Sequence, residues 1–187
     1  IPLTYIDKYT NKNLYIGTWT LEKYFHGFGV YYISGNKYEG FWDLGKLVGE
    51  CRYFLKNGDY FIGYFKNGEA NGEGKYFYND GSIYKGNWEN DQPNGYGKEI
   101  FPDESSFEGI YKNGVKIIGR FNWKDGSFYE GGILNNLFNG KGKFHWNEGK
   151  EYDGEWKEGK MNGNGIMTYR DGSKYEGNFY KGKDMDM

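Results

Sequence analysis

Aromatic residues and glycine alternate with polar residues along most of the chain. An aromatic, any residue, Gly, any residue and usually a second aromatic recur from Tyr15, Tyr38, Phe61, Tyr84, Phe107, Tyr129, Tyr152 and Tyr175. Successive starts lie 23, 23, 23, 23, 22, 23 and 23 residues apart. In an extended strand residues i, i+2 and i+4 share a face, so Tyr152, Gly154 and Trp156 point one way while Asp153 and Glu155 point the other. Gly165, Met167 and Tyr169 form the matching face of a returning strand. A Gly pair follows eleven residues after the first aromatic, as in Gly72 and Gly74, Gly95 and Gly97, Gly140 and Gly142, and Gly163 and Gly165. Asp80-Gly81, Asp125-Gly126 and Asp171-Gly172 then close their repeats, with the residues that tight turns favour. The pattern predicts one β-hairpin per repeat.

A single hairpin cannot bury its own face, so consecutive hairpins are expected to pair edge to edge. The predicted fold is all-β: an elongated single-layer antiparallel sheet of tandem 23-residue hairpins, a solenoid-like ribbon. About fifteen or sixteen strands at roughly 4.8 Å spacing give about 70 to 75 Å. Composition agrees with this reading. The chain of 187 residues holds 32 Gly and 40 aromatic residues but only 3 Pro. Collagen would place Gly at every third position, and disordered chains are poor in aromatics. The array is expected over 15–182, after a partial preceding repeat or cap at 1–14 and before a C-terminal tail at 183–187. Tyr9 aligns with Tyr78, the last aromatic of a returning strand, so the chain is read as a piece of a longer array.

The repeat resembles the MORN family (membrane occupation and recognition nexus). Tyr152-Asp-Gly154-Glu-Trp156-Lys-Glu-Gly159-Lys160-Met-Asn-Gly163-Asn-Gly165, with Asp171-Gly172, carries nearly every consensus position. Three departures stand out. Cys51 replaces the second Gly of its pair, Ile133 replaces a first-strand aromatic, and the repeat from Phe107 has lost one residue together with its first Gly.

The two faces of the predicted sheet differ. The ring-and-glycine face is the repeat core, marked by Trp19, Trp42, Phe65, Trp88 and Trp156; were the sheet to curl, this face would form a groove for an extended peptide or an amphipathic helix. The opposite face need not be apolar in a one-layer sheet. Alternation nevertheless places Ile16, Tyr32, Phe41, Phe54, Ile62, Tyr64, Phe77, Ile100 and Ile110 there, followed by polar positions such as Asn122, Glu130, His145, Asp153 and Glu176. This face is expected to change from apolar to polar near residue 115. The nine apolar residues are the candidate partner or dimer surface, because a soluble monomer rarely exposes so large an apolar patch.

Chemistry-bearing motifs reduce to repeat consensus. Gly40 to Lys46 resembles the opening of a phosphate-binding loop, but Leu47 stands where Ser or Thr would bind magnesium, and the same near-match recurs at Gly154 to Lys160 and at Gly177 to Lys183. The Gly pairs lack the third Gly of a dinucleotide fingerprint. His26, Cys51 and His145 are too dispersed for a catalytic site. No catalytic residue, cofactor or metal is therefore expected. Carboxylates at one repeat position face Lys or Arg across the hairpin, as Glu130 faces Lys143. The charge balance of 24 basic against 26 acidic residues, with only three arginines, argues against nucleic acid. One cysteine makes no intrachain disulfide, which leaves the cytoplasm as the expected setting.

What the resemblance implies is a non-catalytic protein-protein interaction scaffold, homodimeric, that organises a cytoskeletal or membrane-associated assembly. The alternative is a regulatory or targeting region of a larger enzyme such as a lipid kinase. Membrane phospholipid is a weaker partner expectation than protein. Lys46, Lys160 and Lys183 recur at hairpin tips, but Asp43 and Glu158 sit beside two of them.

Overall fold

A computed structural model describes residues 13–184. The partial repeat expected at 1–14 lies outside them except for its last two residues, and so does the end of the tail. The described residues form sixteen strands and no helix, and the strands follow chain order in one antiparallel sheet. The chain divides into two compact halves, Ile1–Asn94 and Gly95–Met187. The first holds β1 (Leu14–Trp19), β2 (Phe25–Ile33), β3 (Asn36–Asp43), β4 (Lys46–Phe54), β5 (Tyr60–Lys66), β6 (Glu69–Phe77) and β7 (Ile83–Glu89). The second holds most of β8 (Gln92–Ile100), then β9 (Ser106–Lys112), β10 (Val115–Asn122), β11 (Phe128–Leu134), β12 (Leu137–His145), β13 (Glu151–Lys157), β14 (Lys160–Thr168), β15 (Lys174–Tyr180) and the two-residue β16 (Lys183–Asp184).

The glycines align across the strands. In the second half the register joins Gly97 to Gly109, Gly109 to Gly119, Gly119 to Gly131, Gly131 to Gly142, Gly142 to Gly154, Gly154 to Gly165 and Gly165 to Gly177. Phe107, Tyr129 and Tyr152, the first aromatics of their repeats, lie over this row. A Cβ on Gly154 would stand 2.6 Å from the Gly165 Cα and against the Tyr152 ring, and one on Gly63 would stand 2.6 Å from the Gly74 Cα and against Phe61. Ring and backbone therefore pack with nothing between them, and Phe61, Tyr84, Phe107, Tyr129 and Tyr152 are all fully buried or nearly so. The phenols are satisfied locally: Tyr129 donates to the Gly132 carbonyl and Tyr152 to the Glu155 carbonyl, each at 2.9 Å. On the far side of the glycine row Trp42, Phe65, Trp88 and Trp156 are buried, whereas Trp19 is half-buried.

A bulge accounts for the other glycine of each pair. Trp156 pairs with Met161 and Gly154 with Gly165, so Glu155 faces three residues, Asn162, Gly163 and Asn164. Gly163 absorbs the excess at φ 67°, and its equivalents in the other full-length repeats lie between 67° and 112°, in the left-handed region that favours Gly. In the repeat from Phe107, Tyr111 pairs with Lys116 and Ile110 with Ile118, leaving only Ile117 as the extra residue. One residue fewer makes a smaller bulge with negative φ, which explains why the missing residue and the missing Gly go together.

Cys51 is the one break in the glycine row of the first half. Its Sγ occupies the space against Gly40 that a ring fills elsewhere. The Tyr38 ring instead stacks on Tyr53 at 4.2 Å and is only half-buried. Between repeats the chain turns through a carboxylate that accepts from the amide two residues on, at 3.0 Å for Asp103 and Ser105 and at 2.9 Å for Asp125 and Ser127. Asp59 differs: it accepts from the Tyr76 hydroxyl at 2.7 Å, the Asn79 amide at 2.8 Å and the Asn57 side chain at 2.9 Å, tying one turn to the next. The Tyr76 hydrogen bond, followed by that from Asn79, holds its carboxyl below the ordinary range.

Two predictions follow from the ring-over-glycine packing. Gly154→Ala forces the Gly165 backbone away and is expected to cost roughly 1–3 kcal/mol in urea unfolding, whereas Lys157→Ala on the exposed surface shifts the midpoint by less than about 0.5 kcal/mol equivalent. Burial pushes the Tyr129 and Tyr152 phenols up to about 12 from 10.0. Folding favours their protonated form, so this stabilisation is complete below pH 10 and lost as pH rises towards 12. Replacing both by Phe, the residue already present at 61 and 107, is expected to flatten the fall of the urea midpoint between those pH values; an unchanged profile would contradict it.

Candidate functional site

The face opposite the rings carries the sequence-predicted surface residues, and each half presents its own part. In the first half the strand positions flanking the glycine row bring Phe28 opposite Phe41, their rings 5.6 Å apart at 75°, each with 55% of its surface exposed. Ile16, Tyr32 and Tyr64 are exposed on the same face. Phe28 was missed by alternation alone, because it falls between the two glycines of its pair, where most other repeats carry a polar residue.

Phe54, Ile62 and Phe77 are half-buried, not open as the alternation suggests. Tyr60 accounts for the two phenylalanines: it stands between them on neighbouring strands, 5.8 Å from Phe54 and 4.3 Å from Phe77, with both pairs stacked. The Lys37 ammonium lies 5.2 Å from the centre of the Phe54 ring and 2.7 Å from Glu39. Tyr60 precedes the first aromatic of its repeat by one residue, and that position was the available signal. Lys75 and Lys85 face each other directly across β6 and β7 on this face, where like charges repel.

In the second half Tyr96, Ile110 and Ile118 are cross-strand neighbours and all three are exposed, as is Ile100 two rows away, beyond Lys98 and Glu108. The apolar stretch therefore continues past residue 115, and the shortened bulge sets Ile118 directly opposite Ile110 within its own hairpin. Beside it runs a row of alternating charge: Lys98, Glu108, Arg120, Glu130, Lys143 and Asp153 are successive register partners. Lys98 pairs with Glu108 at 3.2 Å and Arg120 with Glu130 at 3.6 Å. Lys143 is opposite Glu130 in register, yet its ammonium contacts Glu151 at 2.7 Å, which raises its pKa. Phe128 is flanked by Arg120, whose guanidinium carbon is 3.7 Å from the ring centre, and by His145, stacked at 5.2 Å.

The remaining chemical signals resolve into hairpins. Gly40, Gly45 and Lys46 lie on β3, the following turn and β4, and Gly154 to Lys160 spans the equivalent hairpin of β13 and β14; neither opens a helix. His26 sits 3.4 Å from Asp43, and His145 sits 3.6 Å from Glu151. Cys51 is buried, and burial pushes its thiol up. Among the described residues no group of three or more His, Cys, Asp or Glu could hold a metal ion, and no helix is long and apolar enough to cross a membrane.

Comparison with solved structures finds similar chains at low identity. The SAS-4 (dCPAP) TCP domain of Drosophila melanogaster, in complex with a proline-rich motif of Ana2, is 15% identical, with 80% of this chain and 83% of that chain covered at a TM-score of 0.49. The TCP10c domain of Drosophila melanogaster Sas-4 is 13% identical, covering 80% and 91% at a TM-score of 0.45. The wild-type TCP10 domain of Danio rerio CPAP is 13% identical, covering 86% and 76% at 0.47. No curated protein matches the chain. The MORN repeat sequence model matches at 15–37, 38–60, 61–83, 84–106, 129–151 and 152–174, passing over the shortened repeat from Phe107 and the one from Tyr175. With six matched repeats covering more than half its length, the chain belongs to the MORN-repeat family.

Proposed function

We propose that the chain is a non-catalytic scaffold that binds proteins through the face opposite its ring-and-glycine core. The carrying observation is the exposed aromatic group of the first half, Phe28, Phe41 and Tyr64, each with more than half its surface open. Soluble surfaces scatter such rings singly, and aromatic side chains are the usual anchors of protein contacts. Ile16 and Tyr32 extend the patch, while Glu39, Arg52, Lys75 and Lys85 supply a polar margin that orients a partner without adding much affinity. Self-association as a two-fold dimer is the simplest closed use of such a surface, since one patch then covers another. The proposed setting is a cytoskeletal or membrane-associated assembly on the cytoplasmic side. Protein contacts are favoured over direct lipid binding because acidic groups stand close to the hairpin-tip lysines, as Glu158 does beside Lys160.

The test is Phe28→Glu with Phe41→Glu. Neither ring takes part in the core, so the far-ultraviolet circular dichroism is expected to stay as in wild type. Sedimentation equilibrium at micromolar concentration is expected to give a dimer for wild type and a monomer for the variant. A wild type that remains monomeric removes the self-association part. A dimer that survives both charges shows that another surface holds it, and flotation with strongly anionic vesicles would replace protein contacts by lipid if the wild type floats.

A further inference from the structure

One place on the ring-and-glycine face breaks the apolar pattern twice. The returning strands carry Tyr31, Tyr53, Tyr76, Phe121, Phe144 and Met167 at the position beside the first aromatics, but β8 carries Glu99 there. In the hairpins before the terminal β15–β16, the position that follows the tip holds Phe25, Leu47, Ala70, Pro93, Phe138 or Met161, but β10 holds Lys116. These two departures meet. The Lys116 ammonium lies 2.6 Å from the Glu99 carboxylate, and the side chains are only 18% and 14% exposed. Four rings surround the ammonium, with centres at 5.4 Å for Phe107, 5.5 Å for Phe101, 5.8 Å for Tyr111 and 5.9 Å for Phe121. The Tyr111 hydroxyl also donates to Glu99 at 3.3 Å. The pair reaches across β9, from β8 to β10, and so requires three particular strands to be neighbours.

We propose that Glu99 and Lys116 form a register lock that tells the β9–β10 hairpin which strand it belongs beside. An array of near-identical hairpins carries a specific hazard: the edge offered by one repeat resembles that offered by every other, and hairpins of skipped repeats or of a second chain can dock in the wrong place. Cross-strand glycines and rings do not discriminate, since they recur in every repeat. The ion pair does. Beside β6, β12 or β14 the Glu99 position is held by Tyr76, Phe144 or Met167, and Lys116 would be left among rings without a carboxylate. Glu99 would likewise lose its cation wherever another hairpin took the place of β9–β10. Partly buried pairs add little to stability over apolar residues of similar size, but an unpaired charge in such a place costs several times more. That asymmetry penalises wrong pairings while leaving the right one nearly neutral. It also explains why the two departures occur together.

The test compares refolding of the full chain from urea with protein never unfolded, by gel filtration over a range of concentrations. Glu99→Gln and Lys116→Met are each expected to lower the urea midpoint, because each leaves the partner unbalanced. Glu99→Phe with Lys116→Met restores the repeat pattern and is expected to match or exceed the wild-type midpoint, yet to leave a several-fold larger fraction at the wrong elution volume after refolding, growing with concentration. The exchanged pair, Glu99→Lys with Lys116→Glu, is expected to refold as wild type does. The proposal is overturned if the apolar double variant recovers as completely as wild type or does not reach the native circular dichroism spectrum, and equally if the exchanged pair misassembles as the apolar one does.

Discussion

Close approach of backbone to backbone along the glycine row is the constraint on which the rest of each half depends. Removing Cβ atoms from neighbouring strands at one level opens a trough, and one large ring per repeat fills it. This geometry gives a one-layer sheet a core, because ring and peptide planes replace the second layer that other β-proteins use. It also sets the composition: each repeat needs one Gly in its first strand, a second opposite it, and an aromatic two residues earlier. The bulge Gly answers a different need. It allows the outgoing and returning strands to differ in length by two residues while the cross-strand glycines stay in register. Where the difference is a single residue, in the repeat from Phe107, the left-handed glycine is no longer required.

Departures from the repeat come in matched sets. Cys51 fills part of the trough, and Tyr38 leaves it to stack on Tyr53. Ile133 stands where other repeats place Trp, Phe or Tyr, and Phe138 opposite it supplies a ring that stacks on Tyr129 at 3.7 Å. Glu99 and Lys116 supply each other's charge. In each case the change at one position is met within the same or the adjacent hairpin, as expected when every repeat buries its surface only against its neighbours.

The opposite face follows other rules because nothing in the chain forces a common pattern on it. Its charged rows are mixed in sign, and its apolar residues range from rings covered by one another, as Phe54, Tyr60 and Phe77 are, to rings left open, as Phe28 and Phe41 are. Free variation on one face and strict repetition on the other is how a repeat array separates folding from recognition: the glycine side specifies how hairpins pair, and the other side is left for what they bind.

Much of this was legible in the residues alone. The hairpins, their period and the two faces follow from spacing, since strand alternation and turn chemistry are local and repeat eight times; even the weakest repeat, from Phe107, forms its hairpin. The candidate surface was legible only in part. Ile16, Tyr32, Phe41, Tyr64, Ile100 and Ile110 are exposed, but Phe54 and Phe77 are half covered by Tyr60, Ile118 comes to stand opposite Ile110 through a bulge one residue shorter, and Lys143 turns from Glu130 to Glu151. Nor does spacing bring Glu99 to Lys116, which lie on strands separated by a third. The sequence by itself determined which strands form and which way each side chain points, because both are set within a few residues. Only the tertiary structure decided which side chains are covered and which charges meet, because those depend on neighbours one and two strands away, where a bulge of a single residue alters who stands beside whom.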